Sequence, residues 1–196
     1  MTSEQVAPSV GPGEVLAAVA ASAARTARLL ATGRLRQPDD LVGTRLPFRD
    51  GTRSMIFRTT ERDPSAGTEP SVLQVRFRLR WIGERPTLHR VFVTTCIVNT
   101  PLFAGFPGFV RKQWMVDPRT FVYRGLYDWD GADRARWYAE RLRHVLALVC
   151  VPGSVEYVVV PGLGVDDVLR DGSRLQRQEP GAQDADADAL WWELAG

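Results

Sequence analysis

From residue 72 onward the spacing of apolar positions switches between two residues and about 3.6 residues. Leu73, Val75, Phe77, Leu79 and Trp81 alternate with Gln74, Arg76, Arg78 and Arg80. Period two predicts a strand with one apolar and one polar face. Pro86 suits the first turn of a helix. The run 91–98 is β-branched and favours strand by propensity. Yet Leu88, Val91, Thr95 and Val98 fall at helical spacing, and Asn99-Thr100-Pro101 is a stop signal. The residues alone leave both readings open. Residues 109–116 and 121–129 predict a hairpin across Asp117-Pro118. Residues 132–150 predict a helix with Ala135, Tyr138, Leu142, Val145, Leu146 and Val149 as its buried stripe. Pro152-Gly153 turns the chain into a last strand over 154–160, and Asp166-Asp167 opens a short helical turn.

With 91–98 read as helix, the order from residue 72 is β-α-β-β-α-β, the split βαβ of a ferredoxin-like α+β domain, here placed at 72–170. Both helices of such a unit lie on one face of the sheet, so the other face needs a cover. Residues 1–13 hold Pro and Gly without apolar period and predict disorder. Residues 14–71 read as an N-terminal helix and hairpin extension. Leu16, Val19, Ala23, Ala27 and Leu30 sit at helical spacing, with a stop near Gly33. Asp50-Gly51 is a hairpin signal before a strand at 54–60. The polar stretch 61–71, with Pro64, Gly67 and Pro70, reads as a linker to the main fold. Residues 171–196 form an acidic C-terminal tail, and 178–196 holds five acids and no base.

Composition narrows the function classes. The hydrophobic fraction of 44% is enough for a core, and the net charge of +2 makes no case for nucleic acid. No apolar run reaches the ~18–20 residues of a membrane span. Cys96 and Cys150 suggest neither a disulfide framework nor a metal spacing, and a reduced cytoplasm is expected. The chain has 25 basic residues, and Lys112 alone among them is lysine. Ligand spacings for zinc, a dinucleotide loop and a nucleophile elbow are all missing, so no metal and no cofactor is expected.

The stretch 107–138, PGFVRKQWMVDPRTFVYRGLYDWDGADRARWY, is the most informative of the chain. Pro107-Gly108-Phe109, Lys112, Trp114, Gly125, Tyr127 and the helix from Ala132 through Tyr138 resemble the YdhR-type branch of the dimeric α+β-barrel proteins, related to the antibiotic-biosynthesis monooxygenases. The resemblance covers residues 72–170. It favours helix over strand for 91–98. It implies that two subunits pack their open sheet faces into a homodimeric barrel. It also implies oxygen insertion into an aromatic or polyketide-like substrate without flavin, metal or haem. Residues 14–71 have no counterpart in the short members of that family.

Several residues are candidates for chemistry. A lysine facing a pocket can hold an anionic oxygen or act as a base when burial lowers its pKa, whereas one facing outward is only a solvated charge. His89, Phe92, Cys96 and Asn99 lie roughly along one helical stripe. His89 can take a phenol or enol proton near neutral pH. Asn99 can orient an oxyanion, although Asn before Thr-Pro is also a plain helix stop. Tyr123, Gly125, Tyr127 and Trp129 share one strand face, and Gly125 leaves a gap in it where a pocket can begin. With Trp114 they form either pocket walls or an aromatic core. Asp128 and Asp130 flank Trp129, and Asp130-Gly131 reads as a turn and N-cap. His144 reads as surface. On the implied mechanism His89 is the base, Lys112 or Asn99 the anion contact, and Trp114, Tyr123 and Tyr127 the walls. The alternatives are a cofactor-free cyclase or isomerase that works by positioning, and a non-catalytic ligand-binding protein.

Overall fold

The computed structural model describes residues 11–63, 68–82, 85–176 and 190–195, without the side chain of residue 97. Its elements are α1 (Pro12–Ala31), β1 (Leu35–Arg36), β2 (Arg45–Pro47), β3 (Arg53–Arg62), β4 (Pro70–Phe77), α2 (Pro86–Thr95), β5 (Phe109–Val116), β6 (Tyr123–Asp130), α3 (Ala132–Ala147), β7 (Glu156–Pro161), α4 (Val165–Arg170) and α5 (Ser173–Gln176). Short 3₁₀ turns occupy Cys96–Leu102 and Leu190–Trp192. The expectations for 1–10 and for 177–189 lie outside the described residues. Gly11 caps α1 rather than belonging to an unstructured arm.

All strand pairs are antiparallel, in the order β1-β3-β5-β6-β4-β7, with β2 beside β3. The set β5-β6-β4-β7, with α2 and α3 as crossovers, is the expected ferredoxin-like α+β unit. Its first strand, β4, begins at Pro70, two residues before the expected start at residue 72. The hairpin expected across Asp50-Gly51 is present, with β2 antiparallel to β3 from Pro47 opposite Arg53 to Arg45 opposite Met55, but its second strand, expected at 54–60, is not confined to an extension. It is part of β3, paired with β5 from Met55 opposite Val116 to Glu61 opposite Arg111. Side chains stitch the two strands. Thr59 Oγ1 donates to Gln113 Oε1 at 2.6 Å, and Trp114 Nε1 donates to Thr60 Oγ1 at 3.3 Å.

One sheet face carries the helices. Leu73, Val75, Trp114, Tyr127, Trp129 and Val159 pack there against Ala135, Tyr138, Ala139 and Leu142 of α3. The α3 stripe is buried as far as Leu142, but the helix ends at Ala147 and Val149 is 41% exposed. Residues 86–95 are helical, so tertiary packing overrides the β-branched propensity. The helix then tightens into a 3₁₀ turn that runs through Pro101 instead of stopping before it.

The α1 helix is rotated relative to its apolar stripe. Leu16 and Leu30 are exposed, and Val15, Ser22 and Thr26 are buried. The cause is a backbone contact. Ser22 Oγ donates to the Pro101 carbonyl at 2.6 Å. A Cβ on Gly105 would lie 2.0 Å from the Ser22 carbonyl oxygen. Small side chains on both partners let the two backbones meet, and apolar bulk would hold them apart. Gly105→Ala is therefore expected to cost about 1–3 kcal/mol of stability, as for an overpacked core site. Urea unfolding measures it, and an unchanged midpoint would contradict this docking.

The opposite sheet face is covered by the chain itself. Val72, Met115, Leu126, Val158 and Val160 pack under Val165 and Val168 of α4, Leu175 of α5, and Trp191, Trp192 and Leu194. The polar residues of that face are buried too. Gln74 Nε2 donates to the Trp192 carbonyl at 2.7 Å. Arg124 donates to Asp50 Oδ2 at 2.6 Å and to the Trp191 carbonyl at 3.2 Å. Leu194 forms a β-bridge to Phe48, and the Ala195 N–H donates to the Pro47 carbonyl at 3.0 Å. The premise for the dimeric barrel was an uncovered second face, and that premise does not hold. The end of the C-terminal tail is correspondingly a docked segment and not a solvated one.

Candidate functional site

A cavity of about 380 Å³ lies between the helix-bearing sheet face and the helices. Its size falls within the range of small-molecule pockets. Lys112, Trp114 and Tyr127 line it from the sheet. Phe92, Asn99 and Phe103 close one side, and Tyr138, Leu142 and Leu146 of α3 close another. Leu79, Trp81 and Leu148 also line it, and Trp81 and Leu148 are exposed. The lining is thus apolar and aromatic, with few polar groups.

Lys112 sits mid-sheet, opposite Thr60 of β3 and Tyr127 of β6. It is 6% exposed. Period two puts it in phase with Trp114, on the face toward the helices. Its Nζ lies 3.2 Å from the ring centroid of Trp114, 4.4 Å from that of Phe103 and 4.8 Å from that of Tyr127. Among the described residues it makes no hydrogen bond and no ion pair. Burial pushes its pKa well below the ordinary lysine value, opposed by the Cys96 sulfur. The outward-facing alternative for Lys112 is thereby removed.

Gly125 and Tyr127 act together. A Cβ on Gly125 would lie 2.4 Å from Tyr127 Cε2, so the Tyr127 ring lies back over the glycine. The gap expected at Gly125 is filled by that ring rather than by a ligand. The Tyr138 hydroxyl is buried beside the Tyr127 side chain and interacts with it. Burial raises the pKa of both tyrosines, so both phenols are neutral near pH 7.

The structure brings together Lys112, Asn99, Trp114, Tyr127 and Phe92. It separates the others from the cavity. His89 is buried, with Nδ1 2.8 Å from the Tyr123 hydroxyl and its ring stacked 3.9 Å from that of Phe121. Neither His89 nor Tyr123 lines the cavity, so the expected grouping of His89 with Lys112 and Tyr127 is corrected. Cys96 is buried beside it, its Sγ accepting from Arg58 Nη1 at 3.3 Å. Trp129 lies behind Tyr138, with ring centroids 4.7 Å apart. Asp128 holds Arg111 and accepts the Val165 N–H at 2.5 Å. Asp130 accepts the Thr68 N–H at 2.8 Å and pairs with Arg134, while Gly131 is the N-cap of α3. His144 is exposed.

Phe103, Tyr138 and Trp81 were not anticipated as lining residues. Tyr138 and Trp81 carried a signal in the helical stripe and the alternating strand, respectively, but that signal reads equally as core. Both cysteines are free and buried. Among the described residues no group of three or more His, Cys, Asp or Glu is placed to hold a metal ion, and no helix is long and apolar enough to cross a membrane.

No family model matches the chain, and no curated protein matches it. Among solved structures, it is similar to the following two. One is an uncharacterized ferredoxin-fold protein related to antibiotic biosynthesis monooxygenases from Listeria monocytogenes, with 12% identity, a TM-score of 0.38, and coverage of 68% of this chain and 85% of that one. The other is a monooxygenase-like protein from Listeria innocua, with 14% identity, a TM-score of 0.35, and coverage of 57% of this chain and 65% of that one. Similarity at this level carries no functional argument, and the ferredoxin-like α+β assignment rests on the strand order and crossovers of the chain itself.

Proposed function

We propose that this chain is a small-molecule enzyme. It binds an apolar, ring-bearing phenol or enol in the cavity and oxidises it without a cofactor. The observation that carries this reading is the buried, unpaired amine of Lys112 at the aromatic end of the cavity. An uncharged amine takes the proton of a phenol or enol, and the resulting ammonium holds the oxyanion by a charge-assisted hydrogen bond. The anion then reduces dioxygen with its own electrons. A ring carbon of the deprotonated substrate bonds dioxygen to give a hydroperoxide, and loss of the remaining proton on that carbon with cleavage of the O–O bond leaves a C=O in the product and releases the other oxygen as water. Phe103, Trp114 and Tyr127 exclude solvent from the charge pair, and Asn99 offers a second polar contact. His89 has no part in this scheme.

Oxygen consumption on addition of a hydroxylated polycyclic phenol or enol tests the reading. Lys112→Met is expected to lower kcat/KM by about tenfold or more, the size of a lost charged hydrogen bond. Full turnover in that variant would end the proposal. Turnover without oxygen uptake would point to the cyclase or isomerase, and binding without turnover to a ligand carrier.

A further inference from the structure

We propose that Lys112 also captures carbonyl compounds covalently, forming a Schiff base with an apolar, ring-bearing aldehyde or ketone seated in the cavity. The inference rests on the reading above only in taking this cavity as the ligand site. Four observations support it. Lys112 is buried on the cavity wall, and among the described residues no carboxylate or other acceptor hydrogen-bonds to its amine. Burial favours the uncharged amine, the form that attacks carbonyl carbon. The rings of Phe103, Trp114 and Tyr127 surround Nζ, so a conjugated carbonyl compound would meet aromatic surfaces at its reacting end. The Tyr138 hydroxyl lines the same cavity, buried next to the Tyr127 side chain, where it can turn to donate to a carbonyl oxygen. Arginine cannot do this work, because the guanidinium does not give up its proton.

The step needs no oxidant or reductant. The Nζ lone pair forms a bond to the carbonyl carbon as the C=O π bond opens onto oxygen. One amine proton moves to that oxygen and gives a carbinolamine. The C–O bond then breaks, and water leaves with the second amine proton as C=N forms. Tyr138 donates a hydrogen bond to the oxygen as it gains charge and as it departs.

Reductive trapping of the full chain tests this. Lys112 is the single lysine of the sequence, so the only amines are its ε-amine and the amino terminus. The chain is incubated with 2-naphthaldehyde and cyanoborohydride near pH 7 and read by intact mass and peptide mapping. The expected result is one naphthylmethyl group on Lys112, saturable in aldehyde and blocked by prior addition of 2-naphthol. The preference for Lys112 over the amino terminus should vanish in denaturant. Tyr138→Phe should slow the labelling about tenfold without changing its position. Labelling of the amino terminus alone, while 2-naphthol still binds, would overturn the Schiff base and leave the cavity as a ligand site. Absence of both 2-naphthol binding and Lys112 labelling would overturn both.

Discussion

Trp191→Ala is expected to lower stability by about 3–5 kcal/mol, the usual cost of removing a buried Trp side chain. Trp191 is 1% exposed and packs on the sheet face opposite the cavity. Its ring lies 5.0 Å from the Arg76 guanidinium, and its carbonyl accepts from the buried Arg124. Chemical denaturation measures the effect, and a loss below about 1 kcal/mol would show that the C-terminal segment only rests on the sheet. Deleting residues 190–196 should go further. It removes Trp191, Trp192 and Leu194 from the cover over Val72, Met115, Leu126, Val158 and Val160, leaving only α4 and α5 on an apolar sheet face that then needs a further cover. Light scattering should give 21.8 kDa for the intact chain and about twice that for the truncated one. A wild-type dimer would have to form through some other surface, and a monomeric truncated chain would contradict the covering role.

Lys112→Met is expected to stabilise the fold by about 1–3 kcal/mol while removing function, since a buried amine without a hydrogen bond costs about that much. Two effects compete at Nζ. Aromatic rings stabilise an ammonium by about 0.5–2 kcal/mol. Burying an unpaired charge costs several kcal/mol, so desolvation wins and the folded pKa falls. The sign of the pH dependence follows. Between the lowered folded pKa and the unfolded value of 10.5 the unfolded chain holds a proton that the folded chain has lost. In that window stability rises with pH, and below the folded pKa the full penalty remains. The advantage of the methionine variant should therefore be largest near neutral pH and shrink as pH climbs toward 10.5. Thermal unfolding of both proteins from pH 7 to 10 reads this as a gap of about 2–4 °C per kcal/mol that narrows. A lower melting temperature for the variant at pH 7 would mean that the lysine is well solvated or paired.

Local patterns carried much of the architecture. The alternation after residue 72, the proline and glycine punctuation and the α3 stripe specify the strands and α3, because strand and helix periods follow from backbone geometry alone, whereas 91–98 fitted both periods and needed tertiary packing to settle it as helix. The rarity of lysine marked Lys112, and its phase with Trp114 marked the face it shares. Tertiary structure decided the rest. Alternation in β4 separates an apolar from a polar face, but it does not say what lies over the polar one. Gln74 and Arg124 are buried because residues more than sixty positions away bring backbone carbonyls to them. The α1 stripe pointed to Leu16 and Leu30, yet the close approach at Gly105 turned Ser22 inward, since backbone contact favours small side chains over apolar ones. His89 shared a helical stripe with Asn99, but the bend into the 3₁₀ turn and the Tyr123 hydroxyl put His89 outside the cavity and Asn99 on its wall. The sequence by itself determined most of the strands, α3 and the one lysine. Which faces are covered, and which side chains meet at the cavity, depended on contacts between distant segments that no local period records.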